Sequence, residues 1–292
     1  MLNLLRHMGD TTIGEPASIE EVAKTIFASG AVEIRDVDSG EEPFVYSTGN
    51  RGPGYVMIKG LVGQPKVLNF LSRQLAHKIA PLYQKEFEFI EGNATGGMVP
   101  AWQLRIELER VLGLEEGTIP YNYLREARKS GGHGELITGK GNNPLIIDGM
   151  PVLVFEELVN YAGTTTNAAR IFREEGHPVT HVGCILTYDH AESNQKLKEA
   201  GLILDSAITL PQLLDYVEST KAKSPEAVRS YRGFLASTVD WQLQRNLVIP
   251  ADSAKVATEK GHKMRELSTE EALSLGAPAG KIKEGIVYWA QA

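Results

Sequence analysis

Residues 152–172, VLVFEELVNYAGTTTNAARIF, leave few folds open. Four apolar residues in a row, with no polar alternation, mark a strand buried on both faces. The strand runs into two adjacent glutamates. The turn Ala162-Gly163 then leads into a helical pattern from Thr164 to Glu175, ended by Gly176. A buried strand feeding a helix is half of a unit that joins parallel strands by crossover helices.

The same alternation recurs along the chain. FEFIEGNATGG reads as a strand and a glycine-rich turn, and MVPAWQLRIELERVLGL as the helix after it. TIPYNYL begins as a strand and passes into a long basic, glycine-rich loop. PVTHVGCILTYD is a further strand and ESNQKLKEAG a further helix. Upstream, Ser18 and Glu21 have capping-box spacing at the start of a helix running to about Ser29. Pro65 opens a second helix. Between them, AVEIRDVDSGEEPFVYSTGN reads as two short strands around a turn. The expectation is an α/β fold with a central, mostly parallel sheet flanked by helices. From about Leu210 the character changes. Ser224-Pro225 and the capping-box pair Ser268/Glu271 open helices in what reads as a mostly helical C-terminal extension. The expected boundaries are 1–220 for the core and 221–292 for the extension.

Bulk properties narrow the function. A net charge of −7 argues against a sequence-independent grip on nucleic acid. No apolar run approaches the roughly 20 residues of a membrane span. The one cysteine, Cys184, lies in an apolar run and cannot form a disulfide within the chain. A cytoplasmic protein is expected, with no nucleic-acid or membrane partner.

Chemistry concentrates at strand ends. In an open parallel sheet, ligands bind beyond the carboxyl ends of the strands. Glu156 and Glu157 there suit the hydroxyls of a sugar, or a hydrated divalent cation. Ala162, Gly163, Thr164, Thr165 and Thr166 stand at a helix N-terminus, where free N–H groups and the helix dipole favour an anion. Carboxylates for a diol followed by a phosphate cradle fit a ribose 5-phosphate. The plain alternative is a solvated strand end with a threonine-capped helix. Two other segments support the ribose-phosphate reading. Asn93, Ala94, Thr95, Gly96 and Gly97 form a second small-residue turn before a helix. REARKSGGHGEL holds Arg125, Arg128, Lys129 and His133 among three glycines, as a cationic loop that closes over a polyphosphate would.

Taken together, these segments resemble the type I phosphoribosyltransferases, most closely the orotate phosphoribosyltransferases. Residues 152–166 resemble that family's phosphoribosyl-diphosphate motif. PFVYSTGNRGPGYVMIKGLV resembles its N-terminal hood, EGNATGG its pyrophosphate loop, and YLREARKSGGHGELITGK its catalytic loop. The resemblance covers roughly residues 18–218. It implies a type I phosphoribosyltransferase-like core with an N-terminal hood, and a reaction in which a base nitrogen displaces pyrophosphate from phosphoribosyl diphosphate with Mg2+ bound. Orotate is the favoured base. A phosphoribosyltransferase for another base and a non-catalytic relative that senses phosphoribosyl diphosphate are the alternatives. Carried over by position, Glu156 and Glu157 hold the ribose hydroxyls and Ala162–Thr166 the 5-phosphate. Asn93–Gly97 contact pyrophosphate. Lys129 and His133 act from the mobile loop with Arg125 at its base. Arg128, Tyr55 and His190 complete the substrate contacts. The metal is held by substrate oxygens and water, with Glu156 and Glu157 reaching it through water. The loop's action in the neighbouring subunit implies a homodimer with shared active sites.

The chain departs from the family at several of these places. Both members of the acidic pair are glutamates. Ser47 or Thr48 stands where a hood lysine is usual, Gly96 where many members have a lysine, and Tyr161 where a small residue or threonine is usual. His190 follows Asp189 where an arginine binds the orotate carboxylate. Arg51 or Lys59 is the cation available to replace a lost one, and the sequence does not place either.

Overall fold

The computed structural model describes residues 14–125, 136–139 and 143–292. In chain order the elements begin with α1 (Ile19–Ser29), β1 (Val32–Ile34), β2 (Phe44–Val45), β3 (Arg51–Gly52), β4 (Gly54–Val56), α2 (Pro65–Ile79), β5 (Phe89–Asn93) and α3 (Met98–Leu112). They continue with β6 (Tyr121–Leu124), β7 (Ile137–Thr138), β8 (Val152–Val159), α4 (Gly163–Glu174), β9 (His181–Thr187), α5 (Ala191–Glu199), β10 (Ile203–Thr209) and α6 (Leu210–Ser219). The last third contains α7 (Pro225–Ala236), α8 (Thr238–Leu243), β11 (Ile249–Pro250), α9 (Ala251–Glu259), β12 (Met264–Glu266), α10 (Thr269–Ser274), α11 (Ala279–Lys283) and β13 (Tyr288–Gln291). Two compact units result. One gathers the described residues up to Ala31 with Met57–Tyr216, and the other gathers Val32–Val56 with Val217–Ala292.

The first unit is built on a six-stranded sheet in the order β10-β9-β8-β5-β6-β7. All pairs are parallel except β6 with β7. The apolar run at 152–155 is its centre, buried on both faces as its unbroken character requires. Val152 and Val154 belong to the core that includes Ala168 and Phe172 of α4. Leu153 and Phe155 point the other way, where they meet Gly183 of β9 together with Leu75 of α2. Alternation thus assigns α4 and α2 to opposite faces of the sheet. The capping box at Ser18 and Glu21 is formed and opens α1, which packs against α2 and β10. No helix among the described residues is long and apolar enough to cross a membrane.

The second unit groups residues differently from the expected division into 1–220 and 221–292. The hood segment 32–56 folds with the C-terminal region, not with the sheet unit. Its short antiparallel pairs, β1 with β4 and β2 with β3, have too little apolar surface to stand alone. They are tied down by the last third of the chain. Gln242 accepts from the Arg51 N–H (2.8 Å) and donates to Asn50 Oδ1 (2.9 Å), which also accepts from Ser253 (2.8 Å). Arg245 makes a two-pronged contact to Asp38 at 2.9 and 2.7 Å. Glycine is required at 52 and 54, because a Cβ there would run into Phe234 and Tyr231 of α7. The region is also less helical than its sequence pattern predicts, since β11, β13 and β12 form an antiparallel sheet. Those strands are two to four residues long, too short to show an alternating pattern.

Candidate functional site

The strand order of the first unit reverses beside β5. The chain leaves β5 towards β6 on one side and returns as β8 on the other. The segments after β5 and β8 therefore diverge and leave a crevice at the carboxyl edge of the sheet. A cavity of about 750 Å3 opens there. It is lined by Lys59, by residues 94–96 after β5, and by residues 156–165, which end β8 and lead into α4.

The helix that follows β8 presents its N-terminus to this cavity. The cap position is Ala162, held in the left-handed region at φ 56°, and no side chain caps the helix. A non-glycine residue at positive φ costs about 1–2 kcal/mol, a strain typical of ligand-binding turns. The first turn closes with the Thr166 N–H to the Ala162 carbonyl at 2.9 Å. The N–H groups of Gly163, Thr164 and Thr165 therefore have no helical acceptor. Thr166 Oγ1 donates to the carbonyls of Ala162 and Gly163, and so caps no N–H. The threonine-capped helix considered from the sequence is not formed. Three amides remain directed at the cavity, which is an anion site by geometry and dipole.

Across the crevice, the turn after β5 is shaped by close approach. The Gly97 N–H donates to the Asn93 carbonyl at 2.9 Å, and the Ala94 N–H to the Leu124 carbonyl at 2.8 Å. A Cβ at Gly97 would sit 2.9 Å from the carbonyl oxygens of both Asn93 and Phe155. One at Gly96 would fall on the carboxyl of Glu157. Glu157 therefore reaches over the turn into space that a side chain at 96 would otherwise fill.

The acidic pair divides by strand parity. Glu157 shares a face with Leu153 and Phe155 and leans on the turn after β5, and its Oε2 is buried with no hydrogen-bond partner among the described residues. Glu156 accepts from Asn93 Nδ2 at 3.2 Å. Burial pushes the Glu156 carboxyl up to about 9, and the adjoining Glu157 and Glu91 carboxyls add to the rise. Burial thus favours the protonated form of Glu156, a carboxyl able to donate as well as accept. Glu91 in β5 is a third, fully buried carboxyl, pushed up to about 8 by burial. Its Oε1 accepts from the Leu124 N–H at 3.1 Å, and its Oε2 has no partner among the described residues. In the sequence Glu91 is one residue of the strand segment FEFIEGNATGG, with no site role. A carboxylate in an apolar strand one turn-length before the Asn93 turn was the available signal.

His190 stands beyond β9, between Tyr161 (ring centroids 5.0 Å) and Tyr188 (5.4 Å) in a stack, with Nε2 3.0 Å from Asn160 Oδ1. Burial lowers its pKa, so the ring is neutral at pH 7. Arg125 directly follows β6, with its N–H donating to the Leu136 carbonyl and its Nε buried without a partner among the described residues. Tyr55 lies in the second unit, its ring 5.5 Å from that of Phe44. Arg128, Lys129 and His133 lie outside the described residues. Of the two spare cations, Arg51 is buried in the second unit, and Lys59 lines the cavity. Asn160 and Tyr161 also line it, and neither carried a site role in the sequence.

This topology, with paired acids and an open helix N-terminus at the switch point, defines a type I phosphoribosyltransferase fold. Solved structures share it. The structure of UMP synthase from Leishmania donovani matches 76% of this chain with a TM-score of 0.59 at 20% identity. This chain spans 43% of that protein. The orotate phosphoribosyltransferase of Aeropyrum pernix matches 70% of this chain and 99% of its own, with a TM-score of 0.52 at 23% identity. In sequence, the chain is 27% identical over 225 residues to the orotate phosphoribosyltransferase of Listeria monocytogenes serotype 4b, covering 77% of this chain and 99% of that protein. It is 24% identical over 202 residues to that of Streptococcus pyogenes serotype M5. No family model matches. The chain is a divergent relative of proteins bearing that name.

Proposed function

We propose that this protein transfers ribose 5-phosphate from phosphoribosyl diphosphate to orotate, giving orotidine 5′-monophosphate and pyrophosphate. One observation carries the reading. An open helix N-terminus, a pair of carboxyls and a glycine turn line a single cavity, in the order that a 5-phosphate, a ribose diol and a diphosphate need. The names of the relatives supply the orotate part.

In this reading the N–H groups of Gly163–Thr165 bind the 5-phosphate. Glu156, protonated, donates to one ribose hydroxyl, and Glu157 accepts from the other. The turn 94–97 takes the diphosphate. As the base nitrogen bonds to C1, the C1–O bond breaks and its electron pair leaves on pyrophosphate. Positioning and charge neutralisation supply most of the acceleration. Arg125, with Lys129 and His133 on the segment that follows it, neutralises the leaving group. That segment works in the partner subunit of a homodimer. The donor set suits a substrate-borne Mg2+: the unpartnered Glu157 Oε2 offers one oxygen, directly or through water. When bound, Mg2+ supplies charge neutralisation of the diphosphate.

His190 favours a second reading, in which the base lacks a carboxylate. A neutral, doubly stacked imidazole supplies no fixed positive charge at the place where the related enzymes carry arginine. The test is to incubate the protein with phosphoribosyl diphosphate and Mg2+ and, separately, orotate, uracil, adenine or hypoxanthine, following nucleotide formation. Turnover of orotate alone supports the first reading, and turnover of another base alone replaces it with the second.

A further inference from the structure

We propose that Lys59 is the cation that binds the diphosphate of phosphoribosyl diphosphate in this protein. The inference rests on the reading of the cavity given above and adds to it a residue outside the strand-end motifs. Lys59 sits in the short 3-10 helix Ile58–Gly63. Ile58 and Leu61 of that turn are buried to 1% exposure, and the turn packs against α2, α3 and β8. The backbone at 59 is therefore fixed to the sheet unit, while the Lys59 side chain is exposed and lines the cavity. It has no ion pair or hydrogen bond among the described residues. It is also the one cationic side chain among the described residues lining the cavity.

The two ends of the cavity differ in what they offer an anion. At the α4 end, three backbone N–H groups await a phosphate. At the other end, the Ala94 and Gly97 N–H groups of the turn after β5 are already spent on the Leu124 and Asn93 carbonyls. The Glu157 carboxyl fills the space over Gly96. A diphosphate is the more highly charged end of the substrate, and it would meet the poorer donor set beside a carboxyl. A cation is needed there. Lys59 comes from a segment that packs on α3, the helix leading directly out of that turn. Lysine suits the task as a compact point charge with three donors on a flexible stem.

Titration calorimetry with Mg2+ and no base tests this, using phosphoribosyl diphosphate and, separately, ribose 5-phosphate as probes. Wild type, Lys59→Ala, Lys59→Arg and the control Lys66→Ala, an exposed lysine at the start of α2, are compared. Lys59→Ala is expected to weaken phosphoribosyl diphosphate binding by about 10-fold or more, ~1.4 kcal/mol. It should change ribose 5-phosphate binding by less than about twofold, because that probe lacks the diphosphate. Lys59→Arg should recover most of the loss, and Lys66→Ala should match wild type. Equal affinity of wild type and Lys59→Ala for phosphoribosyl diphosphate would overturn the assignment, as would an equal loss for both probes. Failure of wild type itself to bind phosphoribosyl diphosphate would instead overturn the reading of the cavity.

Discussion

Two neighbouring glycines should respond in opposite ways to the same small substitution. Neither Gly96 nor Gly97 has a positive φ, so alanine is allowed by the backbone at both. Replacing either narrows the unfolded ensemble and favours folding by about 0.4–1 kcal/mol. At Gly97 the new methyl would sit 2.9 Å from two carbonyl oxygens and 3.1 Å from the Asn93 nitrogen. Ordinary Cβ contact begins near 3.4 Å, so these backbone atoms must retreat by roughly 0.5 Å, and they belong to adjacent central strands. Overpacking of that kind costs about 3 kcal/mol, leaving a net loss of about 2 kcal/mol. The melting temperature should fall by about 4–8 °C at about 2–4 °C per kcal/mol. At Gly96 the obstacle is the end of the Glu157 side chain, which can swing away for about 0.5–1.5 kcal/mol. Stability should hardly change. Glu157 would then leave its place beside the ribose, losing a charge-assisted hydrogen bond of about 1.5–3 kcal/mol, or about 10- to 100-fold in kcat/KM. Thermal melts and steady-state kinetics on Gly96→Ala and Gly97→Ala separate the two. A Gly96→Ala variant that melts as low as Gly97→Ala, with unaltered kcat/KM, would refute the placement of Glu157.

Three further outcomes are expected. Glu91 binds its proton more tightly in the fold than in the unfolded chain, so between about pH 4.5 and pH 8 folding is increasingly disfavoured as pH rises, and Glu91→Gln should flatten the fall in melting temperature across that window. A wild-type melting temperature that does not fall there, or a Glu91→Gln curve parallel to it, would mean the carboxyl is not neutral in the fold. Truncation after Thr220 removes Gln242, Arg245 and Tyr231, the partners of segment 32–56, so limited proteolysis should cut that segment quickly while residues 57–216 stay protected. Equal protection of 32–56 in the truncated protein would show that it folds without the tail. Lys129→Ala should lower kcat by about 100-fold or more with phosphoribosyl diphosphate binding nearly unchanged, if the residue acts on charge that develops in the transition state. Binding and turnover falling together would assign it to ground-state binding.

The sheet unit was legible because its strands are buried on both faces and declare themselves as apolar runs. Residues 152–155 and 182–186 are of this kind, and the capping box at Ser18 marks its helix by spacing alone. The same strand ends showed the acidic pair and the open helix N-terminus, because local chain order fixes both. Three features were out of reach. The union of residues 32–56 with the tail depends on contacts across about 190 residues, such as Arg51 with Gln242, which no local pattern encodes. The burial of Glu91 follows from its strand being central, a property of sheet order. The approach of Lys59 to the cavity depends on the packing of a short turn on α2, α3 and β8, so the chain order alone named it beside Arg51 as a replacement cation without choosing between them.

The central claim is that one cavity at the switch between β5 and β8 holds phosphoribosyl diphosphate with its 5-phosphate on the first turn of α4. A crystal structure of the protein with phosphoribosyl diphosphate and Mg2+ measures this directly. The account predicts the 5-phosphate oxygens at hydrogen-bonding distance, about 2.7–3.2 Å, from the N–H groups of Gly163–Thr165, with the diphosphate against residues 94–97. The ligand bound elsewhere, or bound here with its diphosphate on α4, would contradict it.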